Sequence, residues 1–415
     1  MSSALIVLKL AWRSLWRYKR RSIITVSAIV VGTALAIFVI TMADGMYKKL
    51  VDEAVKMNAG YVTVEHSDYG RDLSIDLFVD DVEEIREKGR TIPGVIGVKV
   101  LIQGQAVVST GSGSGGVGIL GVDPEAERHV SPLAQEIVQG RYLEAGDERG
   151  VVLGRRLADR LKLKVGKKLV VTTNDVNGDL VNEMLRVTGV FEMGMEEADG
   201  FLVQVPLDVA RRIFRLPPDA ATRVGLVIDN PQDQGKVLKE MTRRLEGRGL
   251  AVLPWEEVMP DLAGFMTVDK GFNYVFQMII MFIIGFTILN TILMSVLERT
   301  REFATLMAIG TSAVRLRFQV FVESLFIGVL GSGLGLLIGG LISWYFQVNG
   351  LDFSKWYADD TTIVGYAIDP VFRNYITVEA LSMVGGFVMV LTIIIGLYPS
   401  YRSAKINIPD VLRSR

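Results

Sequence analysis

The 415-residue sequence has no cysteine and only two histidines, His66 and His129. The first absence excludes disulfides, thiolate metal sites and cysteine nucleophiles, and it is compatible with an exported domain that needs no covalent staples. His66 is expected on a strand and His129 in a loop. Neither has metal-ligand spacing around it, so both read as surface residues and no metal site is expected. A dominant sign of charge is also missing. Against 45 basic residues stand 46 acidic ones, a net charge of −1, which carries no global nucleic-acid signal. The glycine-rich run 111–118 (GSGSGGVG) lacks the Lys-Ser/Thr pair that places a cation on the β- and γ-phosphates and a hydroxyl on the metal. It reads as a flexible hairpin loop. No nucleophile–base set points to catalysis, so energy for any work must enter through a partner or an ion gradient.

Half of the residues are hydrophobic, yet 22% are charged, so membrane spans and a substantial aqueous domain must coexist. Apolar runs at 23–43, 274–296, 318–346 and 379–399 each reach the roughly 20 residues a helix needs to cross a bilayer. Residues 1–22 set Leu5, Leu8, Trp12 and Leu15 on one helical face, with Lys9, Arg13 and Arg17 beside them. This is the composition of an interfacial amphipathic helix. Signal-peptide cores run to about 7–15 residues; the longer run 23–43 is therefore expected to be an uncleaved span.

Cations cluster before the first span, between the second and third (Arg299, Arg301, Arg315, Arg317) and after the fourth (Arg402, Lys405, Arg413, Arg415). The loop 347–378 has only Lys355 and Arg373 against four aspartates. The positive-inside rule puts both termini and residues 297–317 in the cytoplasm, and residues 44–272 outside. The expected class is a four-span α-helical membrane protein with a large α+β outer domain. Strand, helix, strand patterns at 61–110 and 223–253 suggest a split βαβ subdomain of about 44–103 and 206–272. A β-rich insertion, about 104–205, would interrupt it, with turns at Gly166, Asn177-Gly178-Asp179 and Gly200.

Residues 297–317 are amphipathic and lie between two spans, so they present a short structured surface at one membrane face. In the third span, Gly331, Gly335 and Gly339 repeat at the four-residue spacing that lets helices approach closely in lipid. Glu323 lies inside that span. It must either reach the interface or find a partner, such as an arginine of 297–317. The spans hold Gln277, Asn290, Ser332 and Thr392 but no central Asp, Lys or Arg, unlike an ion-coupled carrier. Four spans are few to enclose a path, so oligomerisation is expected.

Glu298, Arg299, Arg301, Glu302, Ala308, Ile309 and Gly310 match the E-R-x-R-E…A-I-G segment that resembles the cytoplasmic motif of FtsX/MacB-type ABC transporter permeases. Residues 321–340, and Pro399, Ala404, Pro409 and Leu412 near the end, are similar to that family's third span and closing pattern. Residues 118–140, 153–170 and 187–199 look like the lipoprotein-releasing LolC/LolE branch. The resemblance implies a non-catalytic inner-membrane subunit whose outer domain is periplasmic. It implies a dimer with an identical or related permease and two copies of a separate ABC-type ATPase, with ATP and Mg bound there and no cofactor on this chain. The seven matching residues would dock the ATPase. The cargo would be a lipoprotein or other lipidated molecule, and candidate cavity residues are Phe38, Met42, Met278, Phe282 and Phe286; ordinary packing or lipid contact is the alternative for each. Where the LolC branch has a Pro-containing hook that captures a periplasmic carrier, this sequence has the shorter, proline-free 174–183 (NDVNGDLVNE). Asn174, Asn177, Gly178 and Asp179 are the candidate carrier contacts there, with a plain hairpin as the alternative. The long loop 347–378, with Trp356, Tyr357, Tyr366 and Tyr375, is expected to form a lid or lie at the lipid interface. Alternative outputs are an FtsX-like signalling subunit switching an extracellular partner such as a cell-wall hydrolase, and a MacB-like efflux permease working with an adaptor.

Overall fold

The computed structural model describes residues 3–17, 19–128, 131–194, 196–353, 362–363, 366–367 and 371–403. The chain divides into two compact units. One is drawn from residues up to 48, 268–353 and from 371 onward; the other is built on 49–267.

The first unit is helical, and two of its helices, Lys19–Met57 and Pro260–Glu298, continue at residues 49–57 and 260–267 into the second. Its elements are α1 (Ser3–Arg17), α2 (Lys19–Met57), α3 (Pro260–Glu298), α4 (Thr300–Ala308), α5 (Ala313–Asn349) and α6 (Val378–Ser403). Among them α2, α3, α5 and α6 are long and apolar enough to cross a membrane. The helices outrun the apolar stretches. α2 continues past residue 43 to Met57, α3 begins at Pro260, and α6 runs through Pro399 to Ser403. The stretch expected as an aqueous domain from 44 to 272 therefore starts and finishes as helix.

Lipid tails are as apolar as leucine, so spans associate by close packing and interhelical hydrogen bonds more than by escape from water. Both are present. Ile29, Ile37, Ile284, Ile288, Val320 and Val388 belong to one apolar cluster shared by all four spans. The glycine stripe of α5 lies against α2. A Cβ at Gly335 would come within 2.6 Å of Thr33 Cβ, and one at Gly339 within 2.8 Å of Ala34 Cα. Gly331 meets Ile29 in the same way. This close approach is thus made within the chain, between the first and third spans. At one end of these helices Thr41 Oγ1 donates to Ser343 Oγ at 2.9 Å, and Asn374 Nδ2 donates to Thr41 Oγ1 at 2.9 Å. Farther along, Asn273 Nδ2 donates to Tyr47 Oη at 2.7 Å, and Tyr47 donates to Asp269.

The loop before α6 includes a two-residue ribbon, Leu351–Asp352 against Val371–Phe372. Tyr375 lies under the Lys48 ammonium at 4.1 Å. Tyr366 belongs to a second two-residue ribbon with residues 362–363. Lys355, Trp356 and Tyr357 of the expected lid lie outside the described residues, as do Ala404, Pro409 and Leu412 of the tail.

The second unit is a sheet of ten strands: β1 (Val62–His66), β2 (Val95–Thr110), β3 (Gly113–Val122), β4 (Ile137–Gly140), β5 (Gly150–Gly154), β6 (Lys168–Asn174), β7 (Leu180–Phe191), β8 (Leu202–Pro206), β9 (Arg223–Ile228) and β10 (Leu250–Pro254). The order β10-β1-β9-β2 is antiparallel at every pairing. Helices Val82–Arg90 and Gln234–Arg244 connect β1 to β2 and β9 to β10, which is the split βαβ arrangement. Arg223 and Glu65, on adjacent strands, form a buried ion pair at 2.7 Å.

The insertion is not a separate piece. The boundary expected at 103/104 falls inside β2, whose first half pairs with β9 and whose second half pairs with β3. From there the strands close on themselves. β2 pairs with β3, β3 with β8, β8 with β5, β5 with β7, β7 with β6, and β6 returns to β2. Fully buried aliphatics such as Val108, Ile119, Leu153, Val171 and Val203 come from five of these strands, as expected for a small ring filled by its own side chains. The glycine-rich run also differs from expectation. Only Gly111 and Ser112 turn; residues 113–118 are already strand β3, in register with β2.

Candidate functional site in the segment between the second and third spans

Residues 297–317 do not form one amphipathic helix. α3 ends at Glu298, α4 occupies Thr300–Ala308, and α5 starts at Ala313. The break follows from local chemistry. Gly310 takes φ +104°, where a side chain would be strained. Gly310 N–H donates to Met307 O at 3.1 Å, and Thr311 N–H to Leu306 O at 2.9 Å. This pair of bonds satisfies the last carbonyls of α4 in a glycine-terminated cap. Ser312 then caps α5, its Oγ accepting from Arg315 N–H.

α4 is seated by Phe303 and Ala304, both buried, with Phe303 inside the apolar cluster of the spans. The other side faces out. Leu306 of α4 is exposed, Ile309 just after it is 79% exposed, and Val314 at the start of α5 is 70% exposed. Glu298, Arg301, Ala308 and Gly310 are also exposed. The result is a small apolar platform rimmed by charge.

Arg299 does not belong to that platform. It is 9% exposed. Its Nη1 lies 3.1 Å from Glu323 Oε2 and 2.7 Å from Ser14 Oγ, while Nε donates to Glu302 Oε2 at 3.2 Å. Ser14 Oγ closes the triangle by donating to Glu323 Oε1 at 2.6 Å. An arginine next to a span end can satisfy a carboxylate inside the neighbouring span, and neither charge could stay there alone. Glu302 is half-buried and also faces Arg17 at 3.7 Å. A cleft beside the pair is lined by hydroxyls of Ser22, Thr25, Thr291, Ser295 and Ser324.

The other expected residues fall elsewhere. Phe38 is half-buried and packs edge-to-face on Phe346 at 5.6 Å; Met42 is half-buried on α2. Met278, Phe282 and Phe286 form an outward stripe on α3, 64%, 67% and 57% exposed. The five therefore do not line one enclosed cavity within this chain. At the β6–β7 turn, Asp175 Oδ1 accepts from Asn177 N–H at 2.8 Å and Asp179 N–H at 3.0 Å, and Oδ2 meets Arg215 at 2.9 Å. Burial works against the Asp175 charge, but these N–H groups and the guanidinium outweigh it and hold its pKa below the usual aspartate range. Asn174, Asn177, Gly178 and Asp179 are exposed on a compact hairpin tip, with no projecting hook. His66 Nδ1 accepts from Asp68 N–H; His129 lies outside the described residues. No group of three or more metal-ligating side chains occurs among the described residues.

Sequence reasoning missed Ser14, Thr41, Ser343 and Asn374. Isolated small polar residues in amphipathic or apolar runs carry no signal of their partners.

Residues 22–244 match the MacB-like periplasmic core domain, and residues 274–408 match the FtsX-like permease C-terminal. The chain belongs to the FtsX/MacB-type ABC transporter permeases. It is 24% identical over 405 residues to the lipoprotein-releasing system transmembrane protein LolC of Xylella fastidiosa, covering 94% of this chain and 93% of that one. It is 22% identical over 360 residues to the macrolide export ATP-binding/permease protein MacB of Nitrosomonas europaea, covering 80% of this chain and 50% of that protein. Among solved structures, the periplasmic region of MacB from Actinobacillus actinomycetemcomitans aligns at 11% identity and a TM-score of 0.37, over 52% of this chain and 98% of that one. Permeases of this family are membrane subunits, and their ATPase is carried by a partner domain or chain. Membership also implies a permease dimer.

Proposed function

We propose that this permease couples ATP hydrolysis by a separate ATPase to the extraction or movement of lipoproteins or other lipidated cargo on the periplasmic side of the inner membrane. In this reading both termini and α4 are cytoplasmic and the ten-stranded unit is periplasmic. The observation that carries it is the outward platform of Leu306, Ile309 and Val314, rimmed by Glu298 and Arg301. It spans the short helix α4, seated by Phe303, and the first turn of α5. Closure of two ATPase copies on such a platform would drive the spans without any nucleotide chemistry on this chain. The lipoprotein cargo is supported by similarity over nearly the whole chain to LolC, whose name assigns it to lipoprotein release. The outward Met/Phe stripe of α3 is chemically suited to acyl chains.

Co-purification tests the docking role. Ile309→Asp places a charge in the platform and is expected to reduce bound ATPase about tenfold or more. Full retention of the ATPase by Ile309→Asp and Arg301→Glu would end this reading. A second reading is a signalling subunit without transport. The compact 174–183 hairpin favours it, since nothing projects there to capture a carrier. Photocrosslinking from Phe282 to lipidated cargo separates the two readings, because only transport requires that contact.

A further inference from the structure

Arg299 is a buried arginine of the 297–317 segment, and its partners lie on three different helices. Ser14 is on α1, Glu302 on α4 and Glu323 on α5. We propose that Arg299 is a positioning residue that makes α1, α4 and α5 move as one body, so that displacement of α4 reaches the third span directly. This rests on the reading of α4 as the ATPase contact.

Two features of the geometry support the proposal. The covalent path from α4 to α5 passes through Gly310, a left-handed turn about which a short helix can rock. The Arg299–Glu323 pair bypasses that turn. Glu323 lies ten residues into α5, about 15 Å along its axis from the first residue, so the latch grips the span well past the hinge. The environment also makes the grip strong. Arg299 and Glu323 are largely shielded from water and stand beside Val296, Phe303 and Val320 of the apolar cluster. Separating them would strand two charges in a low-dielectric setting, an outcome far less favourable than opening an exposed pair. Movement of α4 away from α5 is therefore resisted at this point.

The N-terminal helix is drawn into the same unit. Ser14 touches both members of the pair, Arg17 reaches Glu302, and Trp12 packs edge-to-face on Phe326 of α5 at 5.6 Å. α1 thus acts as a brace across the junction as well as a helix suited to the membrane surface.

The chain has no cysteine, so spin labels can be placed singly at Lys9 on α1 and Thr305 on α4, both exposed. In the purified permease alone, the Lys9–Thr305 distance distribution is expected to be narrow. It should broaden in Glu323→Ala and Ser14→Ala. Ser14→Ala removes only a neutral hydroxyl and keeps the comparison available if Glu323→Ala fails to fold. A distribution in the single variants as narrow as that of the native chain would overturn the latch. This arm needs no ATPase. In the complex, Glu323→Ala should retain the ATPase, because the platform is untouched, yet ATP should now change the Thr305–Leu334 distance that stays constant in the native complex. Loss of ATPase binding in Ile309→Asp but not Glu323→Ala supports the docking role, and an ATP-dependent Thr305–Leu334 change in Glu323→Ala then supports the latch. Retention in Ile309→Asp removes the docking role and leaves the latch to be judged by the permease-alone distances.

Discussion

Lys99 Nζ lies 2.6 Å from Glu127 Oε1, and both side chains are sealed from water by the fold around the base of β2. Lys99 also donates to the carbonyl of Lys56. Such a pair is held together mainly by the cost of leaving either member alone. Glu127→Gln or Lys99→Met should each destabilise the protein by about 3–5 kcal/mol. The double change Lys99→Met with Glu127→Leu should recover most of that loss. Thermal or denaturant unfolding of the four species in detergent checks this; additive losses in the double variant would contradict it.

A pH dependence follows from the helix Val82–Arg90. Hydrogen bonds from Arg248 and Lys88 draw Glu84 down to about 2, from an ordinary value near 4.5. Its folded pKa is depressed, so its stabilising contribution is complete above about 4.5 and is lost as pH falls toward about 2. Asp147, held low chiefly by the two-pronged contact with Arg141, acts in the same direction. Glu84→Gln should flatten the acid limb of the melting-temperature profile and leave its shape above pH 5 unchanged. An unaltered acid limb would show that the pair is open in solution.

The glycines of α5 should differ sharply in tolerance. Gly335→Leu drives a side chain into Thr33 and should cost about 1–3 kcal/mol by overpacking. Gly333 has open space where a Cβ would stand, and Gly333→Ala should be neutral or slightly stabilising. Melting temperatures of the two variants in the same detergent test the contrast.

Asp175 holds the β6–β7 tip by two N–H bonds and one guanidinium. Asp175→Ala should leave the strands paired but loosen residues 176–179, which limited proteolysis would register as new cleavage there.

Much of this architecture could be read from the sequence because it rests on periodicity. Apolar length gave the four spans, and the strand, helix, strand patterns at 61–110 and 223–253 gave the frame of β1, β2, β9 and β10. The likeness of 297–310 to the family motif drew attention to the candidate site. Direction was harder. Arg299 and Arg301 stand two residues apart in the same charged run, and only the position of Glu323 and Ser14 in three dimensions turns one inward and leaves the other out. The sequence raised a partner for Glu323 within 297–317 as one possibility but could not select which arginine. Likewise β2 runs from 95 to 110 as one continuous strand, so no turn marks the point where it leaves one group of strands for the other. Glycines 113–118 suggested a loop because their lack of side chains hides strand alternation. Their pairing is fixed instead by the backbone of β2.

The closed circuit from β2 through β3, β8, β5, β7 and β6 has a consequence for recognition. Within it, every strand already has a neighbour on either side for at least part of its length, so a visiting peptide finds few vacant main-chain donors and acceptors. Among the described residues β4 pairs only with β7, and β10 only with β1. A binding partner that docks by adding a strand finds its longest vacant edges at those two rims. Elsewhere on the circuit it has mainly side chains to read.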